Sequence, residues 1–399
     1  MNVEVQRVIE SLRLGIPPDG QVRYFTVGRL SEITELTARL QQGKTDALLL
    51  KANYGSGKSH LLRFIRETAL KANFAVSSVT LDAKSAVRFN RMDQMLGAVW
   101  RGLEIPNNSE DRGVRPFFDW VCEQARESKG TAGKQWQKIT NNGQWDFSQS
   151  LESPAIFIAL RAWMSGRVNK DLVEDLLFQK SNYKTQDIYQ ELIHKTRMCY
   201  RKELELTRTI KWQNYTTKAL LFDFKAQGYA QSWAAIRDIH TLACASGMRG
   251  MIILFDEFED VLSNITNIAH QEMAFQNLFQ FFAGQQFQGM SFFAVTPEFV
   301  SKCRNRLISK GRWDYDYAQL DALSTFEMSP LELSQLQELT IKIKDFHGIA
   351  YGWDTNSSAI ELGLTAIVKK TGTIAVQDRT RQTIKEVVKF LDRQLEEIE

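Results

Sequence analysis

The stretch ALLLKANYGSGKSHLLRFIRE, residues 47–67, decides the fold. Four apolar residues from Ala47 to Leu50 lead into a glycine-containing turn, and an amphipathic segment begins at Lys58 and Ser59. This order predicts a strand, a loop and a helix, which is the setting that a phosphate-binding P-loop requires. The alternative is an ordinary Gly-Ser loop ahead of a lysine, and the strand and helix signals on either side argue against it.

Each residue type in this loop has a chemical reason to be there. Gly55 and Gly57 allow the backbone to bend so that successive N–H groups point at phosphate oxygens. The helix that begins near Lys58 adds the positive end of its dipole. We predict that Lys58 reaches the β- and γ-phosphates of a nucleotide and that the Ser59 hydroxyl ligates Mg²⁺. The nucleotide-binding residues predicted here are Asn53, Tyr54, Gly55, Ser56, Gly57, Lys58, Ser59 and His60.

The loop departs once from the usual G-x-x-x-x-G-K-[ST] pattern, because Ala52 stands where the first glycine is expected. Alanine is the mildest replacement at the point where the strand leaves the sheet. We therefore treat the departure as tolerated, since residues Gly55 to Ser59 are intact.

Composition places few constraints on function. The chain has 399 residues, of which 43% are hydrophobic and 24% charged, which is ordinary for a globular protein of two or three domains. The net charge of +3 is too small to argue nucleic-acid binding by itself. The four cysteines and five histidines form no metal-binding pattern, so we expect reduced thiols and no zinc site. No signal peptide and no bilayer-length apolar run is present, so we expect a soluble, cytoplasmic protein without a membrane partner.

A second motif, MIILFDEFED, occupies residues 251–260. Its apolar run predicts a buried parallel strand, and the acids Asp256 and Glu257 follow at the carboxyl end, where open α/β sheets bind ligands. This is the Walker B pattern. We predict that Asp256 positions Mg²⁺ and that Glu257 is the general base that orients the attacking water.

A third strand is predicted over GMSFFAVT, residues 289–296, and it ends at Thr296. A polar residue at the tip of the strand beside Walker B can contact the γ-phosphate or the water, which is the sensor 1 position. The alternative is that Thr296 caps the following helix. Both readings stay open at this point.

Four arginines are candidates for contacting phosphate. Arg304, Arg306 and Arg312 lie on or just after the helix that follows Thr296, where an arginine could reach a neighbouring subunit's γ-phosphate in an assembled ring. We rank Arg306 and Arg312 ahead of Arg304, with solvent-exposed arginines as the alternative. Arg381, at the start of the last predicted helix, is a candidate for the sensor 2 role.

The remaining segments suggest how the chain is divided. A Phe-Thr-Val-Gly-Arg segment upstream of the P-loop places Val27 and Gly28 as candidate adenine contacts, with a plain loop as the alternative. The predicted divisions are an N-terminal helix and adenine-side arm (1–45), the first part of an ATPase core (46–98), a mostly helical insertion (99–231), the second part of the core (232–329) and a helical lid (330–399). Basic residues between 194 and 211 form either a nucleic-acid face or a solvated helix face, and we favour the latter.

Taken together, these motifs resemble an AAA+ ATPase, in the P-loop class that has a strand between Walker A and Walker B and a catalytic glutamate. More narrowly, the chain resembles the ATP-binding proteins of the BREX anti-phage defence system, of the BrxD type. The blocks behind this resemblance are ESLRLGIPP (10–18), FTVGR (25–29), KANYGSGKSHLLRFIRE (51–67), LFDEFED (254–260), AVTPEF (294–299) and RTRQTIKEVVKFL (379–391). The predicted fold class is therefore α/β, with a parallel sheet flanked by helices, a large helical insertion and a small C-terminal helical lid.

The resemblance implies an ATP- and Mg²⁺-dependent ATPase that forms homo-oligomers and works with other defence-system proteins, with double-stranded DNA as a further ligand. The chain ends soon after the lid, which leaves no room for an appended winged-helix domain and puts autonomous DNA binding in doubt. An alternative is a nucleotide-gated module that assembles on DNA or on a partner and hydrolyses ATP slowly. A third function, kinase-like transfer to a small substrate, ranks last because no acceptor site is apparent in the sequence.

Overall fold

The structure, a computed structural model, describes residues 3–82, 85, 87–106, 108, 111–127, 151–166, 169–178 and 224–397. Within these ranges one six-stranded sheet has the order β3-β2-β4-β5-β1-β6, in which β3 runs antiparallel to β2 and the other neighbours are parallel. The strands are β1 (Asp46–Lys51), β2 (Ala75–Thr80), β3 (Leu103–Glu104), β4 (Met251–Asp256), β5 (Met290–Val295) and β6 (Thr325–Glu327).

Helices cover both faces of the sheet and form a separate group at the C-terminus. They are α1 (Val3–Leu14), α2 (Val22–Phe25), α3 (Leu30–Gln42), α4 (Lys58–Lys71), α5 (Met92–Arg101), α6 (Val114–Glu127), α7 (Pro154–Ser165), α8 (Lys170–Phe178), α9 (Ala226–Ala245), α10 (Val261–Asn264), α11 (Ile268–Phe282), α12 (Phe299–Ser309), α13 (Ala318–Asp321), α14 (Leu333–Tyr351), α15 (Ser358–Gly372) and α16 (Val376–Glu396). A short 3₁₀ helix, Phe258–Asp260, follows β4. Within the described ranges, no helix has both the length and the apolar character needed to cross a membrane.

The central strands β1, β4 and β5 are mostly apolar because both of their faces are buried. In β1, Leu49 joins the core on one face, while Leu48 and Leu50 join the core on the other. In β4 and β5, Phe255 and Phe293 stack at 4.5 Å between ring centroids on the first of these faces. The alternation follows from the two-residue period of a strand. A shift in register by one residue would therefore move every side chain of that strand to the opposite face of the sheet.

Strand pairing brings the functional segments to one edge of the sheet. β5 lies between β1 and β4, which is the strand arrangement that the resemblance implied. Lys51 pairs with Val295, and Thr80 of β2 pairs with Asp256. The loop after β1, the acids after β4 and the residue after β5 therefore leave the same edge.

The C-terminal helices α14, α15 and α16 pack together, and α1 from the other end of the chain packs on α14 and α16. Ile9 and Leu12 of α1 share a buried cluster with Ile343 and Val388. On the same interface, terminal nitrogen Nη2 of Arg13 lies 2.7 Å from an Asp392 oxygen. We call these four packed helices, α1 with α14, α15 and α16, the lid.

The start of the last helix differs from the sequence-based expectation. The last helix begins at Val376 rather than at Arg379, so Arg381 lies in its second turn. The segment 99–231 contains the edge strand β3 as well as the helices α6, α7 and α8. The basic stretch 194–211 lies outside the described residues.

A buried ion pair ties α4 to the edge of the sheet. Glu104 in β3 is fully buried, and it accepts a hydrogen bond from Nε of Arg66 at 2.8 Å and a second one from a terminal nitrogen of the same guanidinium. Asp19 adds a longer contact to Arg66 at 3.5 Å. The pair fixes the helix that carries Lys58 at its first position.

Replacing Glu104 with glutamine should lower the free energy of unfolding by about 3 kcal/mol, because the Arg66 charge stays buried without its main carboxylate. Urea denaturation at pH 7 measures the change. Glu35→Gln is the matched control, since Glu35 pairs with Arg39 at 2.9 Å on an exposed helix face and should cost less than about 1 kcal/mol. Equal losses in the two variants would contradict the role given to the buried pair.

Candidate functional site

A cavity of about 260 Å³ lies at the carboxyl edge of the sheet, between the loop after β1, the end of β4 and the lid. It brings together residues that are distant in sequence. Of the predicted site residues, it is lined by Val27, Asn53, Tyr54, Gly55, Ser56, Gly57, Lys58, Ser59, His60, Asp256, Glu257 and Arg381. The cavity is the candidate site.

The loop from residue 53 to residue 59 needs its two glycines. Gly55 and Gly57 have φ angles of +70° and +93°, in the left-handed region that favours glycine. A Cβ atom on Gly55 would also lie 1.5 Å from the carbonyl oxygen of Gln377, in the first turn of α16. The loop is therefore closely covered by lid backbone at the point where it bends.

The ammonium group of Lys58 is held by protein groups on three sides. Its Nζ donates to the Ala52 carbonyl at 3.0 Å and lies 3.2 Å from Oε1 of Glu259. It also lies 4.7 Å from the centre of the Tyr54 ring. A phosphate that approached Lys58 would compete with the Glu259 carboxylate for the same charge.

Glu259 is a site residue that the sequence analysis did not single out, although it falls within the LFDEFED block. It is buried, and its second oxygen, Oε2, has no hydrogen-bond partner among the described residues. Burial raises the pKa of Glu259, and the neighbouring Lys58 charge opposes that rise. Only the structure identifies it, because the 3₁₀ helix Phe258–Asp260 turns this side chain back toward the loop.

The two acids at the end of β4 both reach the cavity. An Asp256 oxygen accepts the Glu257 backbone N–H at 2.9 Å. Glu257 has a φ angle of +54°, which is uncommon for a residue with a side chain and costs about 1–2 kcal/mol. Burial raises the pKa of Glu257, and so does the repulsion from Asp256 and Asp260. A raised pKa makes this carboxylate a better proton acceptor, as a general base requires.

Ser59 and Asp256 supply hydroxyl and carboxylate oxygens to the same cavity, and Mg²⁺ prefers such ligands. The described part of the chain contains no cluster of three or more His, Cys, Asp or Glu side chains that could hold a metal ion. Mg²⁺ in phosphate sites usually takes one or two protein ligands and completes its shell with phosphate and water. The donor set therefore fits this ion.

Thr296 is buried just beyond β5, at the edge where Ala52 donates its N–H to the Val295 carbonyl at 3.1 Å. It is not among the described residues that line the cavity. The helix after it, α12, has Glu298 at its N-cap, so capping by Thr296 does not explain its position.

The arginines of α12 and the loop after it also lie away from this cavity. Arg304 donates to both Asp321 oxygens at 2.6 Å, and Nε of Arg312 lies 2.6 Å from Glu272. Within the described ranges, Arg306 has no carboxylate partner, and its buried Nε has no hydrogen-bond acceptor. Arg381 differs from all three because it lines the cavity, where its Nε lies 3.4 Å from the Gly15 carbonyl.

Of the two candidate adenine contacts upstream of the loop, Val27 and Gly28, only one lines the cavity. Val27 is buried and lines the cavity. Gly28 does not line it, and a Cβ there would overlap the side chain of Gln335, whose amide nitrogen donates to the Gly28 carbonyl at 3.3 Å. The Gln335 side chain of α14 therefore covers Gly28 on this side, and contact between Gly28 and a base stays a prediction.

Arg29, next in the chain, was missed and is more informative. It is buried, and its guanidinium donates to the Ser56 carbonyl at 2.7 Å and to the Ser329 carbonyl at 3.1 Å. Burial lowers the pKa of Arg29, while Glu32 at 3.4 Å opposes this. An arginine just before an amphipathic helix is usually exposed, so the sequence offered no signal for this contact.

His60 faces the cavity as a neutral imidazole. Burial and the charges of Arg29 and Arg63 lower the pKa of His60 to about 4. Its Nε2 lies 2.9 Å from the Thr26 hydroxyl, which donates its own proton to the Val22 carbonyl. The Nε2 atom is therefore the donor, and this fixes the tautomer.

Comparison with known proteins supports the family resemblance. A family model described as "BREX system ATP-binding protein BrxC/D" matches residues 2–150, from the first helix through the loop after β1 and on beyond β3. The match agrees with the predicted BREX resemblance at the BrxC/D level and ends before β4. No curated protein and no solved structure gives a significant match.

Arg29→Gln should weaken the affinity for a fluorescent ATP analogue about tenfold, because the Ser56 carbonyl loses a charge-assisted hydrogen bond and the loop loses its support. Equilibrium titration measures the change. Arg23→Gln is the control, since Arg23 is exposed on the neighbouring α2 and does not line the cavity. Similar affinities in the two variants would show that Arg29 does not support the loop.

Proposed function

We propose that this chain is an AAA+ type P-loop ATPase that binds ATP with Mg²⁺ and hydrolyses it to ADP and phosphate in a BREX anti-phage system. The observation that carries the proposal is one cavity lined by the Gly55–Ser59 loop and by Asp256 and Glu257, which come from distant parts of the sequence. The strand order, with β5 between β1 and β4, supports the same proposal. The description of the matched family names ATP binding.

In this proposal each residue has one task. The loop N–H groups and Lys58 bind the phosphates. Ser59 and Asp256 would hold Mg²⁺, which would neutralise charge on the phosphate oxygens. Glu257 accepts a proton from the attacking water as the water oxygen bonds to the γ-phosphorus. The bond between that phosphorus and the β–γ bridging oxygen breaks, and ADP leaves with the electron pair. Arg381 contacts the phosphates from the lid. Thr296, at the tip of β5, has the sensor 1 task of contacting the γ-phosphate or the attacking water. Val27 packs against the base.

ATP binding in this scheme requires an exchange of partners at Lys58. Its ammonium group is paired with Glu259 at 3.2 Å and must turn to the phosphate oxygens. The phosphate carries more negative charge than one carboxylate, so the exchange is favourable. Glu259 then loses its cation, and burial favours its protonated form.

Glu257→Gln should lower the ATP turnover number at least a hundredfold and leave the dissociation constant for ATP within about threefold, because glutamine keeps the shape but cannot accept the proton. Steady-state phosphate release and equilibrium nucleotide binding measure the two quantities. Glu361→Gln is the control, since Glu361 is exposed in the first turn of α15 and does not line the cavity. Unchanged turnover in Glu257→Gln would rule out this mechanism.

The arginines of α12 favour a second, related function. None of Arg304, Arg306 and Arg312 is among the described residues that line the chain's own cavity. A subunit alone would then hydrolyse ATP slowly, and a neighbour would complete the site. The candidate is therefore a nucleotide-gated oligomer whose hydrolysis depends on assembly. We favour Arg306, because Arg304 and Arg312 are committed to ion pairs on their own chain.

Mixing two inactive variants tests this arrangement. Lys58→Ala keeps Arg306 but has a damaged nucleotide site, and Arg306→Ala keeps the nucleotide site. Each should be at least tenfold slower than wild type, and an equal mixture should recover turnover if Arg306 acts across the interface. Lys302→Ala, an exposed change on the same helix, should keep wild-type turnover. A fully active protein that sediments as a monomer with ATP would contradict a trans arginine.

We propose that other BREX proteins are the partners of this oligomer in the cytoplasm, with double-stranded DNA as a ligand of the assembled complex. The support is the matched family, whose description places it in the BREX system. ATP turnover measured with and without double-stranded DNA, across a protein concentration series, tests for DNA in the cycle. DNA that leaves turnover unchanged at every protein concentration would remove it from the proposal.

A further inference from the structure

A second cavity, of about 380 Å³, lies beside the candidate site, on the side of β2. Its walls are the N-terminal arm at residues 15–19, one side of α4 and the ends of β2 and β4. Four arginines from three distant parts of the chain line it: Arg63, Arg66, Arg112 and Arg381. We call it the arginine cavity.

Carboxylates neutralise this positive charge only in part. Glu104 neutralises the charge of Arg66 in the buried pair. The Asp19 carboxylate lies 3.0 Å from the guanidinium of Arg63. The Asp19 side chain is 62% exposed, so its pairing is weak and open to exchange. Nε of Arg112 lies 3.6 Å from Glu104, which is already bound to Arg66.

Arg381 adds a charge that no described carboxylate neutralises. Its Nε contacts only a backbone carbonyl, that of Gly15, and no described Asp or Glu lies within ion-pair distance. Arg381 itself lines both the arginine cavity and the candidate site, and so do Ser59 and Asp256. Mg²⁺ at these two residues would neutralise Asp256 and leave the guanidinium groups in excess.

The chemistry of such a site matches phosphate. Guanidinium groups donate several hydrogen bonds from a rigid plane and bind tetrahedral phosphate oxygens in pairs. In the proposed function, Ser59 and Asp256 would hold the Mg²⁺ that contacts the phosphate oxygens of ATP, so the wall they form would face the reacting phosphate. A phosphate group released there could enter the arginine cavity directly, without passing the part of the candidate site where the adenine base would lie.

We propose that the arginine cavity is a second anion site that binds inorganic phosphate, the product of hydrolysis, through Arg63, Arg112 and Arg381. The product role rests on the proposed function, whereas the anion site itself does not. Arg66 lines the cavity but is not proposed as a phosphate ligand, because its charge is already paired with Glu104.

The test is made in a Lys58→Ala background, in which phosphate bound by the loop is greatly weakened. Isothermal titration with sodium phosphate should still detect binding to this variant. Adding Arg112→Gln should weaken that binding about tenfold, since one charge-assisted contact is lost. Arg115→Gln is the matched control, because its side chain is as exposed as that of Arg112 and it does not line the cavity. It should leave phosphate binding unchanged.

Several outcomes would overturn the proposal. If Lys58→Ala abolishes phosphate binding, the loop alone holds phosphate. If Arg112→Gln and Arg115→Gln behave alike, the arginine cavity is not the site. If a short single-stranded oligonucleotide displaces the phosphate with the same dependence on Arg112, the site takes a nucleic-acid backbone instead.

The product role has its own measurement. Inorganic phosphate should inhibit steady-state ATP turnover of the wild-type protein, and Arg112→Gln should raise the inhibition constant by the same factor, about tenfold, as it weakens binding. Inhibition that is equal in both proteins overturns the product role. If the wild type binds phosphate with the expected dependence on Arg112 but does not hydrolyse ATP, the proposed ATPase function fails and the anion site stands.

Discussion

The register of three parallel strands is the constraint on which the candidate site depends. Lys51 pairs with Val295, and Phe255 pairs with Phe293, so β1, β5 and β4 end at one edge of the sheet. A shift of one residue in any of them would exchange its two buried faces and move its functional end by about 3.3 Å. The apolar strands that build the core therefore also set the distances between the glycine loop and the acids. The packing of the core and the geometry of the candidate site therefore depend on the same strand register.

Buried charge is concentrated in the segments that carry the candidate site and in α4. The Lys58–Glu259 pair, the Arg29 guanidinium and the Arg66–Glu104 pair each bury ionic groups, which is costly unless every group has partners. The protein meets this cost with short contacts, many of them to backbone carbonyls. Pairs that are satisfied only by protein would favour a closed site, but Glu259 keeps one oxygen without a described partner. Because Glu259 is incompletely paired, Lys58 is the buried cation that can most easily leave its carboxylate and pair with a ligand.

The sequence was sufficient for the features that depend on local pattern. Apolar runs identified β1, β4 and β5, and the glycine spacing identified the loop, because strand burial and positive φ angles select residue types directly. The contacts that it could not give join residues far apart in the chain, such as Arg29 with Ser329 and Gln335 with Gly28. An arginine or a glutamine looks the same in sequence whether it is exposed or buried against a backbone carbonyl. The packing of α1 on α14 and α16 was missed for the same reason, since its amphipathic pattern does not say which surface it meets.

The N-terminal arm links these observations. Gly15 accepts a hydrogen bond from Arg381 of α16, and Arg63 of α4 donates to the Pro17 carbonyl and lies 3.0 Å from Asp19. The arm thus bridges the lid and the helix that begins at Lys58, and it forms part of the wall of both cavities. Any ligand that draws Arg381 or Arg63 toward phosphate must disturb these contacts. Because the arm continues directly from α1, which packs on α14 and α16, the arm is joined to these helices by covalent chain as well as by side-chain contacts.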